Sequence, residues 1–148
     1  MASQPPFQRT LEDHSDHVWR YLRGMVGQAA DDCFQETFLA ALRAYPRLAE
    51  DSNVRAWLLT IAHRKAIDHL RRVRREAADE LTDLPAEPAP DRAVWSAVAT
   101  LPPRQRAAVL LRYAGDLPHR EVAAAIGCSE EAARRSLHEG LKRLREAM

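Results

Sequence analysis

Apolar residues recur at three- and four-residue spacing along most of this chain, whereas the alternating runs typical of strands are missing. The first such stripe comprises Val18, Tyr21, Leu22 and Met25. Gly24 and Gly27 near its end indicate where the first helix stops. The pattern predicts an all-α fold.

A second helix is predicted to follow at once and to end before Pro46. Its apolar side comprises Phe34, Phe38, Leu42 and Tyr45. Asp31 and Asp32 can cap its first turn, and Gln35 stands three residues after Asp32, the spacing of a capping box. The alternative to a purely capping role is an exposed face for a partner, formed by Asp32, Gln35, Glu36 and Leu39.

The third predicted helix, about residues 54–75, changes character along its length. At about 100° per residue, its first turns point Val54, Trp57, Leu58 and Ile61 in one direction. The same direction then becomes polar through Lys65, Asp68, Arg72 and Arg75, with Arg64 and Arg71 beside it. This change indicates a helix whose start is packed and whose end meets a polyanion, with nucleic acid as the obvious candidate. A solvated basic face is the alternative.

The C-terminal third carries the helix-ending and helix-starting residues typical of a helix-turn-helix. A helix from about Leu101 to Tyr113 is followed by a short one that ends at Gly127, a residue suited to a left-handed C-cap. Ser129 suits the N-cap of the last helix. One side of that helix is apolar, and its other side carries Glu131, Arg134, Arg135, His138, Lys142 and Arg145. Such a helix can dock on its neighbours and present cations to DNA. An ordinary three-helix bundle is the alternative.

Charge divides the chain more clearly than its net value of +1 suggests. Residues 51–76 carry 7 basic and 3 acidic groups, residues 77–100 carry 1 and 5, and residues 101–148 carry 9 and 6. Alternate prolines within residues 84–90 disfavour helix in the acidic piece. We therefore predict two small helical domains, residues 10–76 and 93–148, joined by a flexible acidic, proline-rich linker at residues 77–92.

Several classes of protein and site are disfavoured. No apolar run approaches eighteen residues and the first nine residues lack a signal-peptide pattern, so a cytoplasmic protein without membrane insertion is expected. Cys33 and Cys128 are too few and too isolated for a disulfide framework or a zinc site. Residues 13–17 (DHSDH) could ligate a metal, but a polar helix start is the preferred interpretation. With no nucleophile or phosphate-cradling motif, we expect neither an enzyme nor a bound cofactor or metal.

Three stretches of the chain resemble the extracytoplasmic-function sigma factors of bacterial RNA polymerase, a small two-domain, sigma-70-like family. They are residues 31–39 (DDCFQETFL), then 54–58 (VRAWL) running to 67–72 (IDHLRR), and finally 101–106 (LPPRQR) with GCS at 127–129 and SLH at 136–138. Their order around an acidic linker makes the resemblance specific. It implies a factor that directs promoter recognition, −10 melting and transcription initiation.

For the N-terminal domain, the resemblance implies that the second helix binds the clamp helices of core RNA polymerase. The polymerase-binding residues would be Asp31, Asp32, Gln35, Glu36 and Leu39. The following segment would open the −10 promoter element, with residues 48–53 receiving a flipped base and the basic helix holding the strand. The residues implied at the −10 element are Asn53, Arg55, Trp57, Arg64, Lys65, Asp68, His69, Arg71 and Arg72.

For the C-terminal domain, the resemblance implies −35 recognition in the major groove and contact with the polymerase flap. The residues implied at the −35 element are Ser129, Glu131, Arg134, Arg135, His138 and Lys142. The linker would thread toward the active-site cleft of the polymerase. Family members are commonly held inactive by an anti-sigma factor, so such a partner is also implied.

Four positions depart from the family pattern. Lys65 stands where asparagine is usual, and Pro118 replaces a serine cap, although proline suits a first helical turn. Glu130 and Glu131 occupy positions where small or apolar residues are common, and carboxylates repel phosphate but can accept from cytosine amines. The rival interpretations are a free-standing helix-turn-helix regulator and an adaptor that binds polymerase without recognising promoters.

Overall fold

The computed structural model describes residues 5–79 and 92–147, and those residues contain seven α-helices and no strand. The helices are α1 Phe7–Val26, α2 Ala30–Ala44, α3 Val54–Asp79, α4 Arg92–Ala99, α5 Pro103–Tyr113, α6 His119–Ile126 and α7 Glu130–Ala147. Two short 3-10 turns, Gly27–Ala29 and Tyr45–Arg47, flank α2. The prediction of an all-α fold is confirmed. The proline-rich part of the predicted linker, residues 80–91, lies outside the described residues, and residues 77–79 continue α3.

No helix within residues 5–79 or 92–147 is long and apolar enough to cross a membrane.

Turn residues end and begin the helices largely as the sequence predicts. Gly27, with φ of 60°, follows α1, and Gly127 adopts the left-handed conformation with φ of 85° after α6. The amide of Ala132 donates to Ser129 Oγ at 3.1 Å, so Ser129 caps α7. At the start of α3, the amide of Ala56 donates to Asn53 Oδ1 at the same distance.

The prediction that Asp31 and Asp32 cap α2 is wrong. The helix begins earlier than expected, at Ala30, and Ala29 in the N-cap position makes no side-chain cap bond. Both aspartates therefore lie inside the first turn, where their charges favour the positive end of the helix dipole. Because neither carboxylate is used as a cap, both remain exposed.

The N-terminal module packs α1, α2 and α3 around one apolar core. Val18, Leu22 and Leu58 are fully buried there, with Phe38 from α2 almost so. The sequence wrongly predicts Leu42 on the apolar side of α2, because its side chain is 50% exposed. It lies at the edge of the stripe, where a helix turns away from the core.

The C-terminal module packs α5, α6 and α7 against one another, as a helix-turn-helix requires. Its most buried side chains include Leu111, Leu117 and Val122. Gly140 of α7 crosses closely over α5, since a Cβ there would lie 2.9 Å from Val109 Cγ2. The exposed side of α7 is thereby fixed.

The two modules also pack against each other. Helix α1 contacts α5, and α3 contacts α6. We call this contact the seam; it places the packed start of α3 beneath the C-terminal module.

Candidate polymerase and nucleic-acid interfaces

The outer face of α2 combines acidic and apolar side chains. Asp31, Asp32, Gln35 and Glu36 are all exposed, and Leu39, about one turn after them, is 54% exposed. Helical geometry puts these positions on one side, away from the core residues of α2. An exposed leucine beside Glu36, with two further carboxylates toward the start of the helix, suits a partner helix that carries apolar and basic side chains.

Leu42 extends this α2 face by one turn beyond Leu39. The structure reveals it as a candidate contact that the sequence pattern assigned to the core. Its angular position gives no clear signal, because Leu42 falls about 40° from the buried Phe38 and about 60° from the exposed Leu39 on a helical wheel.

The basic face of α3 adjoins the acidic face of α2. Burial lowers the pKa of His69, as does the charge of Arg72, while Asp32 and Glu36 act in the opposite direction. These through-space effects show that the carboxylates of α2 and the cations of α3 share one surface. An uncharged His69 at neutral pH then fits its role as partner of Arg72, whose Nη2 lies 3.3 Å from His69 Nδ1.

The distal half of α3 carries the strongest positive charge. A shallow groove of about 550 Å³ is lined there by Asp68, Arg71, Arg72, Arg74 and Arg75. Among the side chains that the structure describes, residues 5–77 and 93–147, none of these arginines is ion-paired with a carboxylate, and Arg64, two turns before Arg71, is likewise exposed. Four arginines beside one aspartate leave the groove positively charged, which suits the phosphates of a nucleic acid.

Arg74 and Arg75 belong to this groove although the family pattern did not assign them to the −10 site. The run of basic residues in the sequence was the signal that could have included them. Lys65 is half-buried beside the groove and Asp68 is exposed within it.

The first turns of α3 are placed differently. Asn53 is exposed, but its side chain caps the helix. Trp57 is partly buried, with its ring centroid 6.3 Å from that of Tyr45. Arg55 points into the seam, where Nη2 donates to the carbonyl of Asp116 at 3.0 Å. The structure therefore groups Arg64, Arg71 and Arg72 on one open surface and sets Arg55 apart from them.

Tyr21 of α1 and His63 of α3 form a buried polar pair. The Tyr21 hydroxyl and His63 Nδ1 are 2.7 Å apart. Burial, and secondarily the charge of Arg64, lower the pKa of His63 to about 4. Burial also raises the pKa of Tyr21 far above its usual value. A protonated tyrosine donating to a neutral imidazole is consistent with both shifts.

Helix α7 presents the six predicted −35 residues at its N-terminal end and along one exposed side. Arg134, Arg135, His138 and Lys142 all face solvent. Two of the cations are paired within the helix: Arg134 with Glu130 at 2.9 Å and Arg135 with Glu131 at 3.7 Å. The Ser129 hydroxyl already accepts a hydrogen bond as the cap of α7. Its predicted role at the −35 element therefore depends on where it lies, at the start of the helix.

Histidines near the start of α1 do not form a metal site. Among the residues that the structure describes, no group of three or more His, Cys, Asp and Glu side chains could hold a metal ion. His17 instead lies with Nδ1 3.2 Å from the carbonyl of Ala114 across the seam.

Two family models match the chain in the order expected for a sigma factor. The model for Sigma-70 region 2 matches residues 10–76, and the model for Sigma-70, region 4 matches residues 91–144. The first match contains the α2 face and the α3 groove, and the second contains α7 as far as Leu144.

Curated relatives agree with the family models. The chain is 34% identical to RNA polymerase sigma factor CarQ of Myxococcus xanthus, over 99% of this chain and 91% of CarQ. It is 39% identical to ECF RNA polymerase sigma factor SigC of Mycobacterium tuberculosis, over 75% of this chain and 66% of SigC.

Solved structures show the same fold. The sigma factor RpoE in complex with the anti-sigma factor NepR from Bartonella quintana superposes with a TM-score of 0.85 at 22% identity, over 95% of both chains. CnrH in complex with the cytosolic domain of CnrY gives 0.71 at 24% identity, over 95% of this chain and 85% of CnrH. The matched regions, the related sequences and the shared architecture lead to one conclusion: this chain belongs to the ECF (extracytoplasmic-function) group of the sigma-70 family, the factors that direct RNA polymerase to promoters.

Proposed function

We propose that this sigma factor docks on the clamp helices of core RNA polymerase through the exposed α2 face. The contact residues would be Asp31, Asp32, Gln35, Glu36 and Leu39, with Leu42 as a further apolar contact. The supporting observation is that two leucine side chains, Leu39 and Leu42, remain about half exposed on the helix whose first turns present three exposed carboxylates. Exposed apolar patches with a charged rim mark protein interfaces.

At the −10 element, the groove of arginines on α3 would hold the backbone of the displaced strand. Arg71 and Arg72 of the groove would carry most of the charge. Arg64 and Lys65 would add to it from earlier in the helix, and His69 would orient Arg72. Arginines on phosphate supply affinity, and an aromatic side chain such as Trp57 offers a surface on which a base can stack. Asn53 and Asp68 would lie at the edges of this path. The observation that carries this part of the proposal is the groove of four arginines on α3, none of them ion-paired with a described carboxylate side chain.

At the −35 element, α7 would enter the major groove with Glu131, Arg134, Arg135, His138 and Lys142 directed at the DNA. The Ser129 cap fixes the start of that helix and aims its first amides at a phosphate. The N-terminal domain, residues 10–76, and the C-terminal domain, residues 93–148, would then contact two separate promoter elements.

Regulation by an anti-sigma factor is part of the proposal. The structural neighbours RpoE and CnrH were each solved with a protein partner, NepR and CnrY. A binding partner of the same class would hold this factor inactive in the cytoplasm, where polymerase and promoter DNA reside. The factor would influence catalysis only by placing the polymerase at a start site.

The test is run-off transcription with core polymerase on templates carrying promoters of the host. The native factor is expected to support initiation, and Asp32→Ala with Glu36→Ala is expected to weaken binding to core polymerase about tenfold or more. Glu12→Ala with Asp16→Ala is the matched control, because it removes two exposed carboxylates from α1. Tight binding to duplex DNA without any association with core polymerase would instead support a free-standing regulator.

A further inference from the structure

A pocket lies between α3 and the C-terminal module, beside the groove of arginines on α3. It encloses about 470 Å³, a volume within the range of small-molecule sites. Its walls come from Ile67 and Leu70 of α3, Pro103 at the start of α5 and Ile126 at the end of α6. The pocket therefore offers aliphatic contacts from both modules.

Three arginines border the same pocket. Arg71 and Arg74 of α3 and Arg104 of α5 are all exposed. None of them is ion-paired with a carboxylate among residues 5–77 and 93–147, whose side chains the structure describes. We call these three residues the rim arginines. Because like charges gathered at one pocket repel, an anion that binds there relieves the repulsion and forms charge-assisted hydrogen bonds.

His63 lines the pocket without adding charge to it. It is buried, whereas the rim arginines are exposed, so His63 marks the inner end of the pocket. Because burial lowers the pKa of His63 to about 4, its imidazole is neutral at pH 7. Positive charge is thus confined to the outer end of the pocket, and the interior is aliphatic or neutral.

From this arrangement we infer that the pocket binds a linear amphipathic anion, with its acidic head group at the rim arginines and its alkyl chain along the aliphatic walls. The rim supplies charge for the head group, and the walls remove the chain from water. From Ile67 to Arg74 the helix rises about 10 Å. An extended chain of about eight carbons has that length, at about 1.25 Å per carbon. Fatty acids of about this size are the expected ligand class.

A nucleic acid suits this pocket less well than it suits the adjoining groove. Bases stack on aromatic side chains, and no Phe, Tyr or Trp is among the described residues that line the pocket. Phosphates are bound through charge and gain nothing from the side chains of Ile67 and Leu70. The aliphatic walls are therefore the observation that selects an alkyl chain.

The pocket and the groove share Arg71 and Arg74. A ligand held at these two side chains occupies guanidinium groups that the proposed −10 path uses, so we expect it to compete with a displaced strand. This consequence rests on the proposed function of α3, whereas the ligand site itself does not. Arg104 lines the pocket but not the groove, and Arg75 lines the groove but not the pocket.

Calorimetric titration of the full chain with decanoate, kept below its micelle-forming concentration, tests the site. We expect saturable binding of decanoate and binding of butyrate that is about tenfold weaker or more, because the butyrate chain buries less apolar surface. Decanol is expected to bind about fivefold more weakly or worse, because it lacks the charge.

Two variants locate the bound ligand. Arg104→Ala is expected to weaken decanoate binding about fivefold or more. Arg75→Ala is the matched control, and we expect it to change the affinity less than about twofold, because Arg75 does not line the pocket. Circular dichroism verifies that helix content is retained in both variants.

Three results would overturn the inference. Equal affinities for decanoate and butyrate would show that charge alone is recognised. Equal losses in the Arg104 and Arg75 variants would place the ligand outside the pocket. Binding to phosphatidylglycerol vesicles without binding of monomeric decanoate would indicate a membrane surface as the partner.

Competition with DNA tests the shared use of Arg71 and Arg74. Decanoate is expected to weaken binding of a fluorescent single strand of about 12 nucleotides about threefold or more, with butyrate at the same concentration as the control for ionic strength. In the Arg104→Ala chain, strand affinity is expected to be retained and the competition to be lost. Strand affinity that bound decanoate leaves unchanged would contradict the shared use.

The outcome can be separated from the proposed function. Run-off transcription by the native factor without any binding of decanoate would remove the ligand site and leave the sigma activity intact. Binding of decanoate by a native chain that binds no single strand would remove the proposed role of the groove and support the ligand site.

Discussion

The basic surfaces of α3 and α7 have similar composition but different electrostatics. The α3 arginines line a groove with no carboxylate ion-paired to them among the described residues, whereas Arg134 and Arg135 of α7 are each paired with a glutamate one turn earlier. Paired cations attract phosphate less, because an adjacent carboxylate cancels part of their field. The comparison indicates that α3 supplies charge for binding the phosphates of a DNA strand. Helix α7 depends more on the fit of individual side chains to base edges.

The largest expected difference between the two surfaces is in DNA binding when two neighbouring arginines of each surface are replaced. Arg71→Ala with Arg72→Ala is expected to reduce promoter opening about 10- to 100-fold and to lower the salt dependence of strand binding by about 1 to 1.5 in slope. Arg134→Ala with Arg135→Ala is expected to change the salt dependence less. Permanganate footprinting and salt titrations measure both effects. Equal salt slopes would contradict the comparison.

Acid is expected to act on the α3 side of the molecule through His63. Its pKa is about 4 in the folded protein and 6.5 when unfolded, so the unfolded state binds more protons between those values. The stabilisation by neutral His63 is fully present above pH 6.5 and is lost as the pH falls toward 4. We expect a loss of about 2 kcal/mol between pH 7.5 and pH 5, measured by urea unfolding.

His63→Gln tests this assignment. It is expected to reduce the pH dependence, and the part that remains is expected from His14 and His69, whose pKa values burial also lowers. An unaltered pH profile in the His63 variant would show that other groups cause the acid sensitivity.

The caps of α3 and α7 allow the stability of the two helices to be compared, because each cap makes the same kind of hydrogen bond. Asn53→Ala and Ser129→Ala each remove a side chain that accepts from a backbone amide at 3.1 Å. Each is expected to lower the free energy of unfolding by about 1 kcal/mol. Thermal or urea unfolding measures the loss, and Ser136→Ala, inside α7, is the control for removal of a hydroxyl. Losses no larger than the control would argue against capping.

The smallest expected effect is a gain. Glu130→Ala with Glu131→Ala frees Arg134 and Arg135 from exposed ion pairs that contribute about 0.5 kcal/mol or less each. We expect affinity for duplex DNA to rise about two- to fivefold at low salt, measured by fluorescence anisotropy, with Glu146→Ala as the control. A loss of affinity in the double variant would show that the glutamates contact bases.

Local signals in the sequence predicted much of the fold. Gly27, Gly127 and Ser129 end or begin helices where expected, because left-handed geometry and capping depend on one residue and its near neighbours. The family resemblance assigned the chain correctly for the same reason, since its motifs are contiguous stretches. The DNA and polymerase contacts of individual residues stay predictions.

No comparable signal in the sequence predicted the seam between the two modules. Its hydrogen bonds end on the carbonyls of Met25, Ala114 and Asp116, and every residue has a carbonyl. The contacts join residues up to 97 positions apart. Leu42 was misassigned for a different reason, because an apolar residue at the margin of a stripe has the same spacing whether it faces the core or a partner.

Arg106 has a consequence for exchanging modules between related factors. Its guanidinium reaches the carbonyls of Ala99 and Leu101 in its own module as well as Met25 O in the other. Because all three acceptors are main-chain atoms, a chimera can carry a different apolar side chain at the buried position 25 and still present the same oxygen, provided that its first helix ends at the same place. The length of α1, together with a glycine at position 24 against Leu110 and Trp95, then sets which grafted C-terminal halves are compatible.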